Sequence, residues 1–208
     1  MTCIVAITDG TKTVMGGDSA ASSADNPEIY DFSTSKIFAT GEYLVGVCGS
    51  YRSGQIARWE MDWPELPPGA DIEEFMVREV VKRVRLAFEA ASHAAPLKAQ
   101  LLVALRGRLF TIGHDFSAGS LIVPWLAIGS GRHTAYGALH VLAGLDLDLE
   151  EKARRALEAA QSHTANVRQP FRFFTMESRP ADGSPAEPGR METNLAFERE
   201  VRNLGVVQ

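Results

Sequence analysis

The chain of 208 residues is 45% hydrophobic and 23% charged, which supplies one core of ordinary domain size. Its formal charge of −5, with Lys and Arg scattered among the acids, leaves no basic stripe for a phosphate backbone and excludes nucleic acid as a partner. The longest apolar run, Leu121 to Ile128, is broken by Pro124 and falls far short of the roughly 20 residues that span a bilayer, so no membrane is expected.

In chain order, residues 2–8 and 12–18 are β-branched runs separated by Asp9-Gly10, a favoured hairpin pair. The opening Met1-Thr2-Cys3 carries neither the charged segment nor the apolar segment of a secretory signal, and the expected location is cytoplasmic. Residues 19–34 are small and polar, after which Lys36 to Phe38 and Tyr43 to Cys48 give two further strands around Gly41-Glu42. The two cysteines, Cys3 and Cys48, both sit in strand-like apolar runs and read as buried free thiols. Asp71 with Glu74 makes a capping box, and Ile72, Phe75, Met76, Val80, Val84, Phe88 and Ala91 recur at the spacing of a long amphipathic helix. Residues 99–105 and 108–112, joined by Arg106-Gly107, read as a second hairpin, and 120–128 as one more strand. Gly129-Ser130-Gly131 turns into a helix with Ala135, Leu139 and Leu142 on one face. Asp148 and Glu151 cap the next helix, which carries Ala153, Ala156, Leu157 and Ala160 inward, and Phe171 to Met176 is the last strong strand. Residues 178–191, with Pro180, Pro185 and Pro188, read as an extended linker, and 192–204 as a short helix. The expected division is one domain over 1–177 followed by a linker and tail over 178–208, in an α+β order that packs helices on antiparallel sheets.

Three local features carry chemistry. Thr2 follows the initiator methionine; removal of Met1 would place a hydroxyl and a free α-amine on one residue, and an amine with a pKa of about 7.7 to 8.0 can accept the hydroxyl proton. Gly16-Gly17-Asp18-Ser19 ends a strand in a carboxylate, and Ser35-Lys36-Ile37 begins another with an ammonium. A Lys beside a terminal amine depresses that amine's pKa, and a carboxylate holds the Lys in place. Cys48-Gly49-Ser50 and Ile128-Gly129-Ser130-Gly131 are glycine loops after strands, where a backbone N–H such as that of Gly49 can face a developing oxyanion. Taken singly, each is equally an ordinary second residue, turn or strand end.

In their joint order these pieces resemble the proteasome β-subunit superfamily, most closely the bacterial proteasome-related peptidases typified by HslV. The matching segments are MTCIVAI at 1–7, GGDS at 16–19, SKIF at 35–38, LVGVCGS at 44–50 and AIGSG at 127–131. The resemblance implies the four-layer α-β-β-α sandwich of N-terminal nucleophile hydrolases, assembled as a homo-oligomer of stacked rings, acting on polypeptide without cofactor or metal. It implies Thr2 as nucleophile, Asp18 and Lys36 as the charge pair, Gly49 as oxyanion donor, and Ser130 with Gly131 as the loop beside the threonine amine. Ala21 and Val47 fall where the family shapes its first specificity pocket, Val47 hinting at apolar side chains. No Gly-x4-Gly-Lys-Ser/Thr loop occurs, so any ATP-dependent unfoldase is a separate chain. The sequence departs from the family's Asp-x-x-Ser-Gly, reading His163-Thr164-Ala165-Asn166-Val167, or starting at Ser162 if the register shifts by one. That leaves Ser162, His163 or Asn166 to support the amine by hydrogen bonding without a carboxylate. A catalytically silent ring scaffold and a small-molecule amidase on the same fold remain the alternatives.

Overall fold

Period-two alternation sends successive side chains of a strand to opposite faces, and in this chain both faces of the central strands are apolar. The computed structural model describes residues 2–22, 29–31, 33–92, 97–178 and 190–192, with backbone alone for 21, 22, 29–31 and 190–192. Its elements in order are β1 (Cys3–Thr8), β2 (Lys12–Asp18), β3 (Ala20–Ser22), β4 (Ile29–Asp31), β5 (Ile37–Thr40), β6 (Tyr43–Gly49), α1 (Tyr51–Gln55), α2 (Ile72–Phe75), α3 (Val81–Ala90), β7 (Ala99–Leu105), β8 (Arg108–Ile112), β9 (Ala118–Ser120), β10 (Trp125–Gly129), α4 (Arg132–Ala143), α5 (Leu149–His163), β11 (Phe171–Glu177) and β12 (Arg190–Glu192). A π-helical turn, Ile56–Glu60, continues α1, and a second, Met76–Val80, joins α2 to α3.

The strands form two antiparallel sheets in the orders β10-β1-β2-β11-β12 and β5-β6-β7-β8-β9, with β3 and β4 paired separately. In β1, Ile4 and Ala6 face the other sheet, packing with Met15 and Ile128 of their own sheet against Leu44 and Leu102 across it. Cys3, Val5 and Ile7 point the opposite way, into a layer with Leu139 of α4 and Leu157 of α5. In β6, Val45 and Val47 turn outward against Ile56, Met76, Val84 and Phe88 of the helical layer on the second sheet. Three apolar layers therefore separate helices, sheet, sheet and helices: the α+β class and the α-β-β-α sandwich are both observed. Glycine makes room for large neighbours, since a Cβ on Gly16 would lie 2.6 Å from the ring of its cross-strand partner Phe173 and one on Gly46 2.8 Å from Ile4 of the other sheet.

Most of the expected elements stand where the sequence places them. Asp71 Oδ1 accepts from the Glu74 N–H at 2.8 Å, and Asp148 Oδ1 from the Glu151 N–H at 2.8 Å, so both helices begin at their capping residues. Arg106 and Gly107 make the second hairpin turn with positive φ of 46° and 74°. Cys3 and Cys48 are buried free thiols.

Two expectations are corrected. The strand over 120–128 is split, because Pro124 lacks the N–H a ladder needs; residues 121–124 leave the sheet, with Ile122 fully exposed, and β10 starts only at Trp125. The extended linker over 178–191 is interrupted at its end, where Arg190, Met191 and Glu192 pair with Thr175, Phe174 and Phe173 as an edge strand. That strand also removes Glu192 from the expected helix over 192–204, whose remaining residues lie outside the described part. Among the described residues no helix is long and apolar enough to cross a membrane.

Candidate active site

Thr2 sits at the amino end of β1, held by the end of β10. Its carbonyl approaches Gly129 so closely that a Cβ there would lie 2.1 Å from Thr2 O, and Gly129 has φ +93°, a conformation suited to glycine. The Gly131 N–H and the Ser130 hydroxyl both donate to Thr2 O at 3.3 Å, while the Thr2 N–H donates to Ser130 Oγ at 3.2 Å. Ser130 and Gly131 thus clamp the backbone of the residue that leads the strand.

Directly after Thr2, the Cys3 N–H donates to Asp18 Oδ1 at 2.8 Å, so the start of β1 is tied to the end of β2 by a side chain as well as by the ladder. The other carboxylate oxygen, Asp18 Oδ2, accepts from Lys36 Nζ at 2.9 Å, and Nζ also donates to Ala20 O at 2.6 Å. The Asp18 side chain is fully buried and that of Lys36 is 17% exposed. Burial pushes the Asp18 carboxyl above its ordinary value, while the Lys36 ammonium and the Cys3 N–H pull it back. Thr2 and Lys36 line one cavity.

That cavity, of about 130 Å³, is also lined by Val47 and Gly49 from β6 and by Phe38, Tyr51, Arg58 and Trp59. Gly49 is required by its geometry: its φ is +120°, and a Cβ would lie 2.4 Å from Lys98 O. Ser50 accepts from the Ser53 N–H and so caps α1, which rises from the cavity rim. The sequence passed over this helix and with it Tyr51, Arg58 and Trp59; the one usable signal was the cap Ser50 before a stretch with Ile56 and Ala57 at its core.

The two thiols are unsuited to nucleophilic work. Burial, reinforced by the Asp18 charge, pushes Cys3 up to about 12, and burial raises Cys48 as well. The hydroxyl-bearing residues along this cavity are Thr2, Thr34, Ser35, Ser50 and Tyr51. Among the described residues no three His, Cys, Asp or Glu side chains are grouped to hold a metal ion.

The structure gathers Thr2, Lys36, Val47 and Gly49 around one cavity, with Asp18 and Ser130 bonded to the residues that frame it. Among the described residues no hydrogen bond of the departing loop reaches Thr2: the Thr2 N–H donates to Ser130 and the loop's own bonds are local. Ser162 turns back on its own helix, its hydroxyl donating to Glu158 O at 3.0 Å. His163 closes α5 with its side chain exposed, and Asn166 is half-buried. Val167 is the residue of this loop that reaches the site's surroundings, its Cγ2 lying 3.1 Å from where a Cβ on Gly131 would stand. The Ala21 backbone pairs with Tyr30 in β3 and β4; its side chain lies outside the described atoms.

A four-layer sandwich with a threonine at the head of its first strand has the fold of the proteasome-type N-terminal nucleophile hydrolases. Solved structures with this architecture include BPH of Thiobacillus denitrificans in complex with epoxomicin, 21% identical, at a TM-score of 0.72 over 86% of this chain and 100% of that one. Eukaryotic HslV from Trypanosoma brucei is 20% identical at a TM-score of 0.65, over 84% of this chain and 99% of that chain. Anbu, the ancestral β-subunit, from Yersinia bercovieri is 15% identical at 0.65, over 100% and 98%. The sequence matches no family model and no curated protein sequence.

Proposed function

We propose that the protein is a threonine peptidase of the N-terminal nucleophile type, a subunit of a self-compartmentalising ring in the cytoplasm. The observation that carries the reading is the buried Asp18–Lys36 pair, 2.9 Å apart, with Lys36 and Thr2 on one cavity. Once Met1 is removed, the Thr2 nitrogen is an amine beside an ammonium, and like-charge repulsion keeps it neutral and basic near pH 7. The amine takes the Oγ1 proton as Oγ1 attacks the peptide carbonyl carbon. The resulting oxyanion accepts from backbone N–H donors, for which Gly49 is the candidate. Collapse breaks the C–N bond, the ammonium of Thr2 returns its proton to the leaving amine, and an ester on Oγ1 remains. Water, deprotonated by the same amine, attacks the ester and releases the acid.

A second reading, a ring scaffold with little or no activity, is favoured by one observation: Ser162, His163 and Asn166 bring no carboxylate to Thr2, whose nitrogen is held by Ser130. The reading as a peptidase expects intact mass of protein purified from its own cell to lack Met1, and Thr2→Ala to abolish cleavage of a fluorogenic peptide while leaving assembly mass unchanged. Retained methionine, or a Thr2→Ala protein cleaving at the wild-type rate, overturns it. Multi-angle light scattering tests the ring; a stable single-chain mass refutes it. A partner ATPase would then be sought by whether folded protein substrates are degraded only when one is added.

A further inference from the structure

Arg58 stands on the wall of the cavity that Thr2 opens onto, on the π-helical turn that continues α1. Its Nη2 donates to Ser35 O at 2.6 Å and Ile37 O at 2.8 Å. Its guanidinium carbon lies 4.9 Å from the centroid of the Phe38 ring and 5.5 Å from that of Trp59. One nitrogen is pinned by two carbonyls and two rings lie near the guanidinium, which together hold the group in place. Arg52, Arg83, Arg106, Arg108, Arg154 and Arg155 each pair with a carboxylate; Arg58 pairs with none among the described residues.

A guanidinium carries five N–H donors, and those on Nε and Nη1 of Arg58 have no acceptor among the described residues. Every fully buried polar side-chain atom described has a hydrogen-bond partner, so Nε and Nη1 remain open to solvent, on a residue that lines the cavity. Among the described residues no Asp or Glu lines that cavity, and the other cation among them, Lys36, is already given to Asp18 and Ala20. Burial lowers the Arg58 guanidinium from its ordinary value, and Arg172 adds to the positive field around it.

We propose that Arg58 makes the cavity selective for an acidic side chain, Glu or Asp, on the substrate residue whose carbonyl Thr2 attacks. This rests on the peptidase reading above and names its substrate class. The methylene stem of such a residue packs against Phe38 and Val47, and its carboxylate accepts from Nη1 in a charge-assisted hydrogen bond, screened from water by the rings. A Lys in the same place meets Arg58 with like charge. A Leu satisfies the walls and leaves the guanidinium unmatched. Val47 alone suggested an apolar preference; Arg58, on a helix the sequence does not announce, supplies the charge.

The test uses the full-length assembled protein and a set of fluorogenic peptides differing only in the residue before the scissile bond: Glu, Asp, Leu or Lys. Glu and Asp peptides should show the highest kcat/KM, and Arg58→Gln should lower theirs by about ten- to a hundredfold while the Leu peptide stays within about twofold. Arg58→Glu should transfer the preference to Lys, an effect that a merely structural Arg58 would not produce. A wild type that favours Leu or Lys, or an Arg58→Gln protein equally impaired on every peptide, overturns the proposal and leaves the peptidase reading standing. If the wild type cleaves nothing, fluorescence anisotropy with labelled peptides ending in Glu or Leu separates the two. Tighter binding of the Glu peptide, lost in Arg58→Gln, sustains the acidic pocket while the peptidase reading falls; equal binding overturns both.

Discussion

Replacing Asp18 by Asn removes one charge and keeps the shape. The Cys3 N–H retains an acceptor in the amide oxygen, but Lys36 Nζ, 2.9 Å from Asp18 Oδ2, then faces either an uncharged oxygen or an NH2 group that repels it. Removing one partner of a buried ion pair costs about 3 to 5 kcal/mol, because the other charge is left uncompensated. The low end applies here, since Lys36 keeps 17% of its side chain in solvent and its bond to Ala20 O. In a domain of about this size 1 kcal/mol lowers Tm by roughly 2 to 4 °C, so about 3 kcal/mol corresponds to roughly 6 to 12 °C. Thermal unfolding followed by circular dichroism at pH 7 reads this directly, with peptide cleavage measured alongside. Adding Lys36→Met to Asp18→Asn removes the stranded charge and should restore most of the lost Tm while leaving cleavage abolished. A single variant as stable as wild type, or a double variant that is active, would refute the view that this pair is both a structural tie and the source of the field at Thr2.

Further outcomes are expected. Lys36→Ala should inactivate at neutral pH and regain activity at alkaline pH, where the Thr2 amine loses its proton without help; a loss equal at all pH values would make Lys36 structural. Because burial raises the Asp18 carboxyl, that group takes up its proton at a higher pH than a free Asp does as pH falls, releasing Lys36; carbon-13 NMR of the Asp18 carboxyl should show it titrating above an exposed Asp, and a titration at or below that of an exposed Asp contradicts the assignment. With Cys3 pushed up to about 12 and Cys48 also raised, neither thiol should react with a disulfide reagent in the folded protein at pH 8, and both should on denaturation; a rapidly labelled native thiol refutes the burial argument. Ile4→Ala, at a fully buried position between the sheets, should cost about 2 to 5 kcal/mol in denaturant unfolding, and a loss under 1 kcal/mol would show that the sheets close over the gap.

Much of the fold was legible because the strands alternate cleanly and the helices declare their starts. Asp71 and Asp148 are side-chain caps visible in the sequence and made in the structure. The glycines at 16, 17, 49, 129 and 131 stood next to polar residues that the fold does bring to one place. What was not legible depends on contacts across long separations. The helix from Tyr51 lacks a clean apolar stripe, because Arg58 and Trp59 turn to the cavity while Ile56 and Ala57 go to the core. For the loop after α5, pattern alone could not show that Ser162 would bond its own helix, whereas Ser130, expected beside the Thr2 nitrogen, does accept from it.

The grip of β10 on Thr2 sets an order of events in the life of the chain. Ser130, Gly129 and Gly131 lie some 128 positions beyond the residue they hold, and a loop of that length closes late because its entropy must be overcome before the contact forms. While the first half of the polypeptide leaves the ribosome, the leading threonine is therefore accessible and chemically idle. After β10 docks, only 7% of it remains exposed. On the proposed reading, any trimming that frees its nitrogen is easiest in that early interval, so a delay in trimming leaves a folded chain whose Thr2 nitrogen is already held by Ser130.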